Sequence, residues 1–409
     1  MPWPGRGHIN PLMNLCKRLV RRDPNLLVTF VVTEEWFGLI GNDPKPDRIH
    51  FATLPNLIPS EIVRADDFIG FIEAVFTRLE EPFEQLLDSL NSPSPTAIIA
   101  DTNVLWAVSV GTRRNIPVAS FWTTSATILS LSLHSDLLAT HGHFLVEPSG
   151  SKEDEIVDYI PGLSPTRLGD LRHIFHGYSH EVFNKFKKCY DELSKANYLL
   201  FPSAYELETK AIDFFTSKFD FPVYAMGPLI PFEEFSVANN SREPDYIRWL
   251  NDQQKSSVIY ISQGSFLSAS EAQMEEIVEG VKESRVPFLW VARGAESKLN
   301  EALEGSLGVV VSWCDQLRVL CHAAMIVEEW RVGMRIESKK EKEKKTELVI
   351  RRAEIKELVK RFMDGEFEEG KDMRRRACAL GDICRQAVAE SGSSDVNIDA
   401  FISDITKIV

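Results

Sequence analysis

No apolar run in this sequence approaches the roughly 20 residues that a helix needs to cross a bilayer, which argues against a helical membrane anchor. Positive charge is also in short supply. The chain carries 46 Lys and Arg against 60 Asp and Glu, a formal net charge of −14. That is the wrong sign for a surface meeting nucleic acid or anionic lipid. Cysteine is sparse, with 6 residues scattered and no CxxC pair. Reduced thiols in a cytoplasmic protein are expected, rather than disulfides or a metal site. The opening MPWPGRGHINP has no basic stretch followed by an apolar one, so a secretory signal is not expected. A complete dinucleotide fingerprint is missing as well. Gly5 and Gly7 are present, but Asn10 stands where a third glycine belongs, which weakens an oxidoreductase reading.

What is present describes an ordinary soluble α/β chain. Hydrophobic residues make up 44% and charged residues 26%. At 409 residues, two domains are expected. The first half alternates short apolar runs at 28–33, 50–54, 97–101 and 117–122 with helix-like stretches such as 11–22 and 70–90. The runs are rich in β-branched and aromatic residues without polar alternation, the pattern of buried parallel strands. Runs at 198–203 and 223–228 complete that series, and the alternation predicts a doubly wound domain. A Pro-rich polar stretch follows, then a second series at 257–265, 287–293 and 308–313. The expected boundaries are a first domain at 1–230, a linker at 231–244, a second domain at 245–394, and a terminal helix at 395–409. The ESKKEKEKK run at 337–345 reads as a solvated loop or helix face.

Two residues carry the chemistry that composition allows. His8 follows two glycines at the start of a helical stretch, and Asp101 ends an apolar strand. Ligands of doubly wound sheets bind at that carboxyl edge. A lone His is more often a loop or cap residue, and an Asp there is often a helix N-cap.

The string WCDQLRVLCH at 313–322 is more specific. With GRGHINP at 5–11, the turn Gly264-Ser265, the triplet Met226-Gly227-Pro228 and SGSSDVN at 391–397, it resembles the plant family-1 UDP-glycosyltransferases, and among them subfamily 87. The resemblance implies a GT-B-like architecture of two Rossmann-like doubly wound domains facing a cleft, the C-terminal one incomplete. It implies transfer of a sugar, usually glucose, from a UDP-sugar to a small lipophilic acceptor, with inversion. It also implies a monomer that uses no metal and no cofactor beyond the UDP-sugar co-substrate. By position, His8 would be the general base and Asp101 its partner. Thr123 and Ser265 would contact the donor, and Trp313 and Gln316 the nucleoside. His322 matches a structural histidine of the family rather than its donor-phosphate one. The acceptor side would draw on a loop region, 125–178, rich in apolar residues and histidine.

Two departures accompany the match. Met1 stands where the family's first strand should be ending. Beyond His322 the chain runs through Ala323-Ala324 directly to Met325, and most of the family's nucleotide box has no counterpart. The missing part would include the helix N-terminus that holds the diphosphate and the carboxylate that grips the ribose. The chain as written is therefore expected to be weak or inactive. One reading is an enzyme whose full transcript carries the missing segments. The other is an impaired, truncated paralogue that at most binds a small molecule.

Overall fold

A strand whose side chains are all apolar must be covered on both faces. The computed structural model shows how this is met, and it describes all residues except 62–66, 91–92, 145–153, 172–179, 232–242, 263–269, 293–294, 321–349 and 408–409. The chain divides into two compact units, Met1–Pro231 with Ile383–Val409, and Phe232–Asp382.

In the first unit, β1 (Val28–Thr33) and β2 (Ile49–Leu54) pair in parallel. Strands β3 (Ile98–Asp101) and β4 (Val118–Phe121) begin a second parallel sheet. A short antiparallel pair, β5 (Ile156–Val157) and β6 (Thr166–Arg167), lies apart. Strands β7 (Tyr198–Phe201) and β8 (Val223–Ala225) complete the larger sheet, in the order β3-β4-β7-β8. Met1 runs alongside β3, its amino group donating to the Ile99 carbonyl and its own carbonyl accepting from the Asp101 N–H. Successive side chains of a strand point to opposite faces. Along β4, Val118 therefore joins a core with Phe71, Phe83 and Trp106, while Ala119 and Phe121 join another with Leu12, Leu15 and Phe30. Along β7, Tyr198 and Leu200 enter that second core, while Leu199 and Phe201 enter a third beside Phe215.

The first helix spans Arg6–Arg22, starting five residues before the expected 11–22 and enclosing Pro11. Pro11 is the sixth residue of this helix, where its missing N–H deprives the Gly7 carbonyl of its helical donor. The expected helix at 70–90 is two helices, Phe68–Arg78 and Glu80–Ser89. Pro82 explains the break: it has no N–H for the Arg78 carbonyl, and its ring crowds that group.

The terminal helix Ser393–Thr406 returns to the first unit. Its Phe401 is fully buried, with Tyr198 and Tyr224 packed edge-on against it at 5.5 and 6.0 Å. Arg22 forms a bidentate pair with Asp399, Asn397 donates to the Ala225 carbonyl at 2.8 Å, and Tyr224 donates to Asp404 at 2.6 Å. Ser394 donates to the carbonyl of Gly227, where a Cβ would sit 1.6 Å from the Pro202 carbonyl oxygen, so only glycine fits. Phe401→Ala is expected to lower unit-1 stability by about 3–5 kcal/mol, as for other buried aromatics. Urea unfolding measures this, and a loss under about 1 kcal/mol would show that the helix adds little to the core.

In the second unit, β9 (Ile259–Ser262), β10 (Phe288–Val291) and β11 (Val309–Val311) form a parallel sheet in the order β11-β10-β9. The helices Glu271–Ser284 and Arg352–Met363 pack tightly where Gly280 meets Ile355. Arg352 donates to Glu276 at 2.8 Å and, with its backbone N–H, holds that carboxyl down at about 2. The charge run at 337–345 lies outside the described residues.

Candidate active site

The carboxyl edge of the larger sheet gathers three of the six residues singled out from sequence. Asp101 is the last residue of β3, with its side chain 1% exposed. Thr123 follows β4 by two residues. His8 lies in the first turn of the first helix rather than in the loop before it, because the Gly5 carbonyl accepts from the N–H groups of His8 and Ile9 and starts the helix there. Gly5 is extended, and a Cβ at Gly7 would meet nothing within 4 Å.

His8 Nδ1 is 2.7 Å from Asp101 Oδ2 and 3.0 Å from Thr123 Oγ1. The shorter, charge-assisted contact decides the tautomer: Nδ1–H donates to the carboxylate, and the threonine oxygen shares that proton as a weaker branch. In that tautomer Nε2 carries the lone pair, on a side chain 26% exposed, and it makes no hydrogen bond among the described residues. The other Asp101 oxygen accepts from the Asn103 N–H at 2.9 Å, so the carboxylate is held from both ends. Trp3 lines one side of His8 at 6.4 Å between ring centroids and is itself locked by Phe71 and Phe186. An imidazole with one nitrogen tied to a buried carboxylate and the other open can accept a proton from a hydroxyl.

The remaining residues belong to the second unit. Trp313 follows β11 and is 56% exposed as a residue, and Gln316 opens the short helix Gln316–Leu320. Ser265, with Gly264, lies outside the described residues, as do His322 and the Ala324–Met325 junction. Of the loop histidines, His143 is bound on both nitrogens, to Tyr159 at 2.8 Å and Glu155 at 3.0 Å, and His134 bonds the Ser130 carbonyl at 2.8 Å. His141 stacks on Tyr159 at 3.8 Å. His173 and His176 are outside the described residues.

Sequence reading missed Glu208, a buried carboxylate behind the Thr123 loop. It sits in a Tyr-Glu-Leu-Glu stretch that looks like a charged helix face.

Burial pushes the Cys16 thiol up to about 12, and burial together with the Asp101 charge pushes Cys189 up. Cys378 is exposed. Iodoacetamide at mild alkaline pH is therefore expected to alkylate Cys378 well before Cys16 or Cys189, since the thiolate is the nucleophile. Early labelling of either buried thiol, read by peptide mass spectrometry, would contradict this packing.

Among the described residues, no group of three or more His, Cys, Asp or Glu could hold a metal ion. Nor is any helix there long and apolar enough to cross a membrane.

No family model matches the chain. Known proteins do. The chain is 72% identical to UDP-glycosyltransferase 87A1 of Arabidopsis thaliana, covering all of both chains. It is 67% identical to UDP-glycosyltransferase 87A2 of the same plant, over all of this chain and 96% of that one. The alignment to the first spans 446 positions against 409 residues here, so at least 37 positions of it have no counterpart in this chain. Among solved structures, it resembles Phytolacca americana UGT2 complexed with UDP-2-fluoro-glucose and pterostilbene, with a TM-score of 0.75, 21% identity, and 99% and 98% of the two chains covered. It also resembles Medicago truncatula UGT71G1 complexed with UDP-glucose, with a TM-score of 0.73, 21% identity, and 99% and 97% covered. Parallel α/β units and these neighbours make the fold GT-B-like, and identity of 72% and 67% over nearly the whole of both 87-type relatives settles the ancestry: the chain belongs to the plant family-1 UDP-glycosyltransferases.

Proposed function

We propose that the chain transfers a sugar, glucose, from a UDP-sugar to a hydroxyl of a small lipophilic acceptor, with inversion and with His8 as general base. The observation that carries this is the 2.7 Å contact between His8 Nδ1 and the buried Asp101, which leaves Nε2 open. The acceptor O–H gives its proton to Nε2 as its oxygen bonds the anomeric carbon. The bond from that carbon to the UDP oxygen breaks on the opposite face, and an α-linked donor yields a β-glycoside. Asp101 stabilises the imidazolium that forms.

In this reading Thr123, beside His8, meets the donor sugar, and Ser265 meets the diphosphate. The exposed Trp313 indole stacks on uracil, with Gln316 at the nucleoside. Residues 1–230 hold the acceptor and 245–394 the donor, in a cytoplasmic monomer. The test is long incubation of the purified chain with UDP-glucose and phenolic acceptors, followed by NMR of the product. A β-glucoside is expected. An α-glucoside, or no product above His8→Ala, would overturn the mechanism.

The reading has a second element, which assigns the unmatched positions to the donor side. The acid–base pair is kept while the donor side is depleted, so turnover is slow and donor binding limits it.

A further inference from the structure

Thr123 reaches His8 from a four-residue connection between β4 and the helix Ala126–Leu133. One end of that connection is fixed by the sheet, where the Trp122 N–H donates to the Leu200 carbonyl at 3.0 Å. The other end depends on the helix start. A helix leaves its first N–H groups without internal partners, and here the helix begins among buried residues. Ser125 Oγ accepts from the Ile128 N–H at 3.2 Å. The Glu208 carboxylate takes the others: Oε2 accepts from the Ala126 N–H at 3.0 Å, and Oε1 accepts from the Thr127 N–H at 3.0 Å and its hydroxyl at 2.9 Å.

Glu208 is 6% exposed and follows β7 by way of the turn Tyr205–Leu207. It therefore ties together the chain leaving two adjacent strands, β4 and β7. A charged acceptor with three donors at a helix N-terminus is a strong local fastener. Trp122 adds a second tie, donating from its indole to the Ser125 carbonyl at 2.9 Å. Between these fixed points Thr124 is exposed, while Thr123 is half-buried against His8.

We infer that Glu208 is a positioning residue for the transfer reaction: by clamping the start of the helix Ala126–Leu133 it holds Thr123 Oγ1 on the His8 imidazole. The inference rests on the reading of His8 as the base. Without the carboxylate, the Ala126 and Thr127 N–H groups lose their acceptor, the first helical turn loosens, and Thr123 drifts from Nδ1.

The test is titration of the His8 ring by NMR on histidine-labelled full-length protein, so that it runs whether or not the chain turns over. Thr123→Val is expected to shift the His8 pKa. Glu208→Ala shifts it in the same direction by at least half as much, and the double variant shifts it no further than Thr123→Val alone. Glu208→Gln, which keeps one accepting oxygen and the side-chain shape, gives a smaller shift and guards against failure of the alanine variant to fold. Glu208 variants that lower the Tm but titrate at His8 like the wild type would overturn the inference, as would shifts that simply add. Failure of glycosyl transfer would instead count against the base reading alone.

Discussion

Replacing His8 by alanine lowers the turnover number about 10²–10⁴-fold, the usual contribution of a positioned general base. The loss should fall on kcat more than on KM, because in the proposed mechanism the imidazole acts on the acceptor proton as the bond forms. Folding should be nearly untouched. The His8 side chain is partly exposed, and the first helix is anchored by Ile9, Leu12, Leu15 and Leu19 instead. Asp101 behaves differently. Asp101→Asn keeps the shape but removes the charge that fixes the tautomer and supports the imidazolium, so its loss should come within about tenfold of that for His8→Ala. Asp101→Ala should also destabilise the first unit by about 1–3 kcal/mol, since it leaves the part-buried Asn103 N–H without its acceptor. Initial rates of UDP release, paired with urea unfolding, separate the two effects. Equal rates for His8→Ala and wild type would remove His8 from the mechanism.

On the proposal that the donor side is depleted at the Ala324–Met325 junction, supplying there the unmatched sequence of the 72%-identical relative is expected to raise donor affinity on the order of 10⁴-fold. The absent part would supply a helix N-terminus to the diphosphate, a carboxylate to the ribose and polar side chains to the sugar. Such charge-assisted contacts contribute roughly 1.5–3 kcal/mol each, and four of them reach that factor or exceed it. Calorimetric titration with UDP checks this on both proteins. The same Kd with and without the segment would mean that the donor is held by Trp313, Gln316 and the Gly264-Ser265 turn alone.

The strands were legible because burial on both faces leaves a mostly apolar run without polar alternation, as in 28–33 and 117–122. The His8–Asp101 pair was legible in part: the edge of a parallel sheet is a position that sequence can mark. What escaped depends on three-dimensional crowding. The stretch 70–90 reads as one helix, yet the effect of Pro82 falls on Arg78, one turn earlier, and splits it. Glu208 reads as a solvated charge, because nothing along the chain shows that the N-terminus of a helix 82 residues away will cover it. The contact of Thr123 with His8 joins residues 115 apart, and spacing carries no trace of it.

The most direct test of the central claim is UDP release from UDP-glucose, with a phenolic acceptor, by four proteins: the chain itself, its His8→Ala variant, the segment-restored chain, and the restored chain with His8→Ala. Slow release by the chain, a large gain in kcat/KM on restoration, and a collapse of about 10²–10⁴-fold on losing His8 in both backgrounds are the predicted results. A restored chain that turns over equally well with alanine at position 8 would contradict the account.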